Sequence, residues 1–110
     1  MKRISIGHIE EFPLKAGRRV HAGECEIAVF RLSDGSFRAV ENVCPHLGGP
    51  LAEGMVSGDF VYCPLHEWKI HLQDGKVQDP DSGCVKTYPV VMERNRVWVI
   101  LEKADLMSVK

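Results

Sequence analysis

Two short segments constrain the fold of this chain more than any other feature, because each pairs a cysteine with a nearby histidine. One proline separates Cys44 from His46, a proline and a leucine separate Cys63 from His66, and sixteen residues lie between His46 and Cys63. Thiolate and imidazole groups spaced in this way are typical metal ligands in a reducing compartment. The sequence therefore predicts a fold that brings two loops together at one metal centre.

The composition narrows the class of protein. The chain has 110 residues, enough for one domain, with 14 basic and 15 acidic residues. General nucleic-acid binding needs clustered positive charge, and a membrane-spanning helix needs about 20 apolar residues in a row. The sequence has neither feature. No secretory signal is apparent. We expect a single cytoplasmic domain over residues 1–110, with residues 103–110 as a loosely held tail, that binds neither nucleic acid nor membranes.

Turn signals at short intervals predict an all-β fold. A short predicted strand, 60–62, leads directly into Cys63. The only helical signal is one turn at 8–12, which ends at Pro13. We expect a small antiparallel sandwich or partly open barrel. The three predicted hairpins are 27–32 with 37–40 around Asp34-Gly35, 68–72 with 76–77 around Asp74-Gly75, and 88–92 with 97–101 around Arg94-Asn95.

The mixed ligand set favours one kind of centre. Two thiolates and two imidazoles are the set that holds a two-iron, two-sulfur cluster when histidines replace the cysteines on one iron. Neutral imidazoles make the oxidised core less negative than four thiolates do, so an added electron costs less. The added electron should favour the iron held by His46 and His66. Such a cluster would make the chain an electron-transfer protein.

Two other interpretations of the four residues stay open. The first is structural zinc, although zinc sites usually pair two cysteines or two histidines rather than one of each. The second is that the four are ordinary core residues. Outside the paired motifs, Cys25 and Cys84 are predicted to be small buried thiols. The isolated histidines are predicted to be surface or partly buried structural residues; they are His8, His21 and His71.

The pattern Cys44-x-His46…Cys63-x₂-His66 resembles the Rieske [2Fe–2S] domain over most of the chain. The resemblance implies an antiparallel β sandwich with a cluster-binding subdomain of two loops, and one [2Fe–2S] cluster per chain. It implies that Cys44 and Cys63 hold the inner iron and that His46 and His66 hold the outer iron near the surface. It implies no catalytic residue.

The chain departs from the Rieske proteins of the cytochrome bc type at four positions. Gly49 and Leu65 stand where that group carries two disulfide-bonded cysteines, and Trp68 and Ile70 stand where it carries a serine and a tyrosine. Those hydroxyl groups bond the cluster, and their loss should lower the reduction potential. We expect a value near the low end of the Rieske range of roughly −150 to +300 mV.

The stretches 40–51, 54–58, 63–70, 74–80 and 83–88 look like the small subunit of assimilatory NAD(P)H-dependent nitrite reductase. That resemblance implies a large partner subunit with FAD, an iron–sulfur cluster and sirohaem, which reduces nitrite to ammonium. This chain would be its non-catalytic small subunit. The alternative is a Rieske ferredoxin for an aromatic-ring-hydroxylating dioxygenase, whose partners are an oxygenase and its reductase. Such ferredoxins usually lack the run 83–88.

Apolar residues flank the two predicted histidine ligands. We expect Leu47 and Leu65 to form a rim that contacts the partner, besides shielding the cluster from water. The other flanking residues are Pro50, Leu51 and Trp68.

Overall fold

The structure is a computed structural model, and it describes residues 2–22, 25–44, 49–65, 68–78 and 83–102. Short strands and two 3₁₀ turns, Ile9–Glu11 and Leu51–Glu53, account for its regular structure. In chain order the strands are β1 Lys2–His8, β2 Ala16–Ala22, β3 Cys25–Arg31, β4 Phe37–Glu41, β5 Met55–Ser57, β6 Phe60–Tyr62, β7 Lys69–His71, β8 Thr87–Tyr88, β9 Val90–Glu93 and β10 Arg96–Leu101.

The strands form three antiparallel sheets, in the orders β1-β10-β9, β2-β3-β4-β8 and β5-β6-β7. The all-β prediction is therefore confirmed. The four-stranded sheet has an apolar core on each face, because successive side chains of a strand point to opposite faces. On β3, Ile27 and Val29 enter one core with Val97, whereas Ala28 and Phe30 enter the other.

Two of the predicted hairpin turns form as expected. The turn between β3 and β4 places Gly35 at φ 89°, and the Asp34 carboxylate accepts the Ser36 backbone N–H at 2.9 Å. The turn between β9 and β10 has positive φ at both central residues, 56° at Arg94 and 64° at Asn95. That geometry matches the twist of the flanking strands.

The Asp74-Gly75 turn is also present, with Gly75 at φ 76°. Among the described residues, the chain returning from it pairs with β7 through an isolated bridge between Ile70 and Val77. The predicted strand 88–92 divides at Pro89, because proline has no N–H to donate to a ladder. β8 before it pairs with β4, and β9 after it pairs with β10.

Strands β1, β2 and β5 were not predicted. The helical signal at 8–12 is confirmed as the single 3₁₀ turn Ile9–Glu11, where the ring of His8 accepts the Glu10 N–H at 3.3 Å. The predicted tail, 103–110, lies outside the described residues. Within the described ranges, none of the secondary structure is a helix with the length and apolarity to cross a membrane.

Candidate metal centre

The first ligand loop leaves the four-stranded sheet at the end of β4. Cys44 follows three residues later and is 1% exposed. Its backbone N–H donates to the carbonyl of Gly49 at 2.8 Å, so a hydrogen bond joins the two ends of the loop. The 3₁₀ turn Leu51–Glu53 comes directly afterwards and buries Leu51 completely. The backbone thus returns the chain to the core on either side of the loop.

The second ligand loop leaves the three-stranded sheet at the end of β6. Cys63 is the next residue, in agreement with the predicted strand 60–62, and it is 2% exposed. Its N–H donates to the carbonyl of Trp68 at 2.9 Å, and β7 begins one residue later. Each loop is therefore closed by its cysteine N–H on a carbonyl five residues further along the chain.

The two cysteines share one apolar core, which also contains Phe30, Val61 and Ile70. The structure therefore brings together two of the four predicted ligands, although they follow strands of different sheets. His46 and His66 lie outside the described residues. Among the described side chains, no group of three or more His, Cys, Asp and Glu could hold a metal. The complete ligand set remains a prediction.

The surroundings of the two thiols fit an iron–sulfur group. None of the four cysteines of the chain forms a disulfide. A side chain at Gly49 would have its Cβ 3.2 Å from the Sγ of Cys63, so the backbone of the first loop lies close to the sulfur of the second loop. Apolar surroundings of this kind control solvent access and dielectric at a metal site. Thiolates are the ligands that such clusters use.

A buried amide anchors the first loop. Asn42 is 8% exposed, and its side chain accepts the Ala52 N–H at 2.8 Å and donates to the Glu26 carboxylate at 2.7 Å. Its own N–H donates to the Glu26 carbonyl. It thereby ties the residues before Cys44 to β3 and to the 3₁₀ turn after the loop. Sequence reasoning missed Asn42; the only signal was a polar residue close to a predicted ligand.

Comparison with known protein families decides the class of this centre. The Rieske [2Fe-2S] domain family matches residues 2–89, which include both ligand loops and the strands β1 to β8. The chain belongs to the Rieske family. Its Rieske domain carries a [2Fe–2S] cluster and transfers electrons, as the sequence predicted.

Relatives of the Rieske domain occur in more than one setting. The chain is 31% identical over 105 residues to the 3-phenylpropionate/cinnamic acid dioxygenase ferredoxin subunit of Photorhabdus laumondii, covering 94% of this chain and 98% of that protein. It is 29% identical over 98 residues to the oxygenase component of 3-ketosteroid-9-alpha-monooxygenase from Rhodococcus rhodochrous, which covers 89% of this chain. There the chain spans only 24% of the relative's length.

A solved structure provides a third setting for the Rieske fold. The proposed small subunit of an NADH-dependent nitrite reductase from Mycobacterium tuberculosis superposes with a TM-score of 0.83 at 27% sequence identity. The match covers 89% of this chain and 93% of that one.

The residues predicted to flank the histidines differ in their exposure. Leu65 is 51% exposed, in agreement with a place on the rim, whereas Leu51 is fully buried and is not available to a partner. Trp68 is half-buried against the core that contains both cysteines. Pro50 is also partly buried, and Leu47 lies outside the described residues. The 3₁₀ turn that contains Leu51 directs its side chain inward, so this flanking residue packs in the core.

A groove opens on the Rieske domain beside the second loop. It has a volume of about 420 Å³. Its mouth has an exposed methionine, Met55, and an exposed carboxylate, Glu53. The residues that line the groove are Glu53, Gly54, Met55, Tyr62, Cys63 and Pro64.

The remaining cysteines and histidines have other surroundings. The prediction of a buried thiol is wrong for Cys84, which is exposed, and Cys25 is half-buried at the start of β3. His71 lies 3.2 Å from the Asp74 carboxylate and contacts Phe60 with the ring centroids 4.9 Å apart and the ring planes tilted by 57°. The pKa of Asp74 is lowered, first by the hydrogen bond from the Lys76 N–H and also by His71. His71 therefore has a structural role in its turn.

Proposed function

We propose that this Rieske domain is the electron-transfer small subunit of an assimilatory NAD(P)H-dependent nitrite reductase. The observation that carries the proposal is the agreement between two lines of similarity. The runs at 74–80 and 83–88 look like that subunit, and the proposed nitrite reductase small subunit from M. tuberculosis has the same fold at 27% identity. The partner would be the large subunit with FAD, an iron–sulfur cluster and sirohaem.

The ligands of the proposed function are Cys44, His46, Cys63 and His66. The burial and proximity of the two cysteines support their half of the set. The cluster supplies one-electron oxidation and reduction when it is bound. Each cysteine N–H holds its loop in a closed turn, and the shared apolar core excludes water from the two sulfur atoms. No residue of this chain acts on nitrite; the chain is non-catalytic.

The cytoplasm is the proposed location, because the large reductase subunit draws on NADH or NADPH. The proposal treats the whole chain, 1–110, as one domain. The exposed end of the second loop is the proposed contact with the large subunit. Met55, which is 72% exposed, lines the groove together with Pro64, and Leu65, which is 51% exposed, follows Pro64 in the chain. Leu47 is proposed to complete this rim from the first loop.

A second function has a specific observation in its favour. The ferredoxin subunit from P. laumondii matches nearly full length, 98%, at 31% identity. Under this reading the chain carries electrons from a reductase to an oxygenase.

The two functions are separated by the partner that exchanges electrons with the domain. The dithionite-reduced protein is mixed anaerobically with a purified nitrite reductase large subunit, and separately with a ring-hydroxylating oxygenase. Reoxidation is followed in the visible spectrum. Fast reoxidation by the large subunit alone supports the nitrite reductase role, and fast reoxidation by the oxygenase alone supports the ferredoxin role.

The proposed rim is tested by Leu47→Asp, with Leu14→Asp as a control at an exposed leucine that is 52% exposed. Leu47→Asp should weaken association with the large subunit by about tenfold, because it places a charge in an apolar contact. The Rieske spectrum should not change. Association equal to that of the control would contradict the rim.

A further inference from the structure

Among the described residues of the two ligand loops, Leu65 of the second loop contacts Gly49 of the first. A Cβ built on Gly49 would lie 2.9 Å from both Cγ and Cδ1 of Leu65, nearer than real carbon atoms approach. The Leu65 side chain therefore rests directly on the backbone of Gly49. The contact forms although Leu65 is 51% exposed. One side of this side chain faces water and the other side covers the first loop.

The same point on Gly49 also borders the sulfur of Cys63. The constructed Cβ would be 3.2 Å from Sγ, so Leu65 and this sulfur flank a single spot on the glycine. Cys63 is only 2% exposed, even though it lines the wall of the open groove. The contact between Gly49 and Leu65 therefore lies beside the sulfur of a residue that also borders an open groove.

The contact can open at low cost. Leu65 is not part of the apolar core that contains Cys63, and half of its surface already meets water. Rotating a half-exposed leucine away from its neighbour exposes far less new apolar surface than moving a core leucine does. The leucine is thus placed as a cover rather than as a structural support.

We propose that Leu65 is a movable apolar cover over the sulfur of Cys63, seated on Gly49, and that it controls how readily water and solutes reach this ligand. The proposal rests on the proposed role of Cys63 as a cluster ligand. Gly49 is required because any side chain at this position would displace the cover. Leu65 acts through the sulfur that it shields, so it is a positioning residue.

The test measures how fast the cluster is lost. The holoprotein is incubated with an excess of the iron chelator bathophenanthroline disulfonate, and bleaching of the visible absorption is recorded. Leu65→Ala should lose the cluster about fivefold faster than the wild type, because half of a leucine's apolar contact is removed. The matched control is Leu14→Ala, which removes the same atoms at 52% exposure and should keep the wild-type rate. The initial spectrum of each variant should equal that of the wild type.

Two further variants examine the seat of the cover. Gly49→Ala should also accelerate cluster loss, because its methyl group displaces Leu65. In the Leu65→Ala background the methyl group no longer meets the leucine, so Gly49→Ala should accelerate cluster loss by a smaller factor there than in the wild type. Neighbouring residues that share a contact are expected to be non-additive in this way. Multiplicative rates in the double variant would overturn the proposal.

Leu65→Met preserves most of the side-chain volume and should release the cluster at nearly the wild-type rate. This variant keeps the test decisive if Leu65→Ala does not retain the cluster during purification. A Leu65→Met protein that loses its cluster as readily as Leu65→Ala would overturn the proposal that Leu65 is a cover. Equal loss rates for Leu65→Ala and Leu14→Ala would do the same. A wild-type protein without a Rieske spectrum would instead overturn the proposed ligand role of Cys63.

Discussion

The side chain of Asn42 offers the sharpest test of how the first ligand loop is held. Asn42→Ala removes the acceptor of the Ala52 N–H and the donor to Glu26, which bond at 2.8 and 2.7 Å. Ala52 is 9% exposed, so its N–H would be left nearly without water. An unpaired buried donor costs about 2 kcal/mol, and the bond to the Glu26 carboxylate adds about 1 kcal/mol because that group is partly solvated.

The expected loss of about 3 kcal/mol is a large fraction of a small domain's stability. It corresponds to a fall of about 12 °C in Tm for a chain of this size. The effect should be measured by thermal unfolding, followed in the far-ultraviolet circular dichroism and in the visible absorption of the cluster. Because the bonds of Asn42 lie on both sides of the first loop, the visible signal should be lost at or below the temperature of backbone unfolding.

Two control variants distinguish the cost of breaking the buried hydrogen bonds of Asn42 from the cost of removing an exposed amide or a charge. Gln78→Ala removes an amide whose bond to the Lys76 carbonyl, at 2.9 Å, is exposed, and it should cost less than about 0.5 kcal/mol. Glu26→Gln keeps an acceptor for Asn42 and removes only the charge, so it should cost about 1 kcal/mol at most. A loss below 1 kcal/mol in Asn42→Ala, or one equal to that of Gln78→Ala, would refute the reasoning.

Three further outcomes are expected. His66→Cys should replace the Rieske-type electron paramagnetic resonance signal of the reduced protein by that of a cluster with more thiolate ligands, and an unaltered signal would show that His66 is not a ligand. The midpoint potential, measured by redox titration, should fall below zero, because Trp68 and the fully buried Ile70 provide no hydroxyl group to the cluster. The pKa of Asp74 is lowered in the folded protein, so its carboxylate stabilises the fold at pH values above its unfolded pKa. This stabilisation is lost as the pH falls through the folded pKa. Asp74→Asn should therefore flatten the curve of stability against pH below about pH 4.

The sequence predicted the parts of the fold that turns determine. Gly35 supplies the positive φ of the first turn and Asn95 tolerates the positive φ of the second, and both hairpins formed around these turns. Strand β2 was missed because the consecutive residues Arg18 and Arg19, which point to opposite faces, are both exposed and interrupt any apolar run. The strand 88–92 was predicted as one because the apolar pattern runs through Pro89, whereas pairing divides there between two sheets.

At the site, the candidate cysteine and histidine ligands could be predicted from their chemistry and spacing, but the packing of the surrounding side chains could not. Cys44 and Cys63 were chosen from their spacing with the histidines, and the structure buries them in one core. Burial of Leu51 depends on the direction of a single 3₁₀ turn, which the sequence pattern does not specify. The bonds of Asn42 join β3, β4 and the turn after the loop, and their partners are up to sixteen residues away. Such contacts depend on tertiary structure.

The distance between the two cysteine sulfurs is set by packing between sheets. Cys44 follows β4 of the four-stranded sheet, and Cys63 follows β6 of the three-stranded sheet. Each loop is closed within itself by one backbone hydrogen bond, and no disulfide joins them. The two loops are held in position relative to each other by the core in which Phe30 and Val40 of one sheet pack against Val61 and Ile70 of the other. Because this core is shared by both ligand loops, the geometry of the centre and the stability of the domain depend on the same contacts.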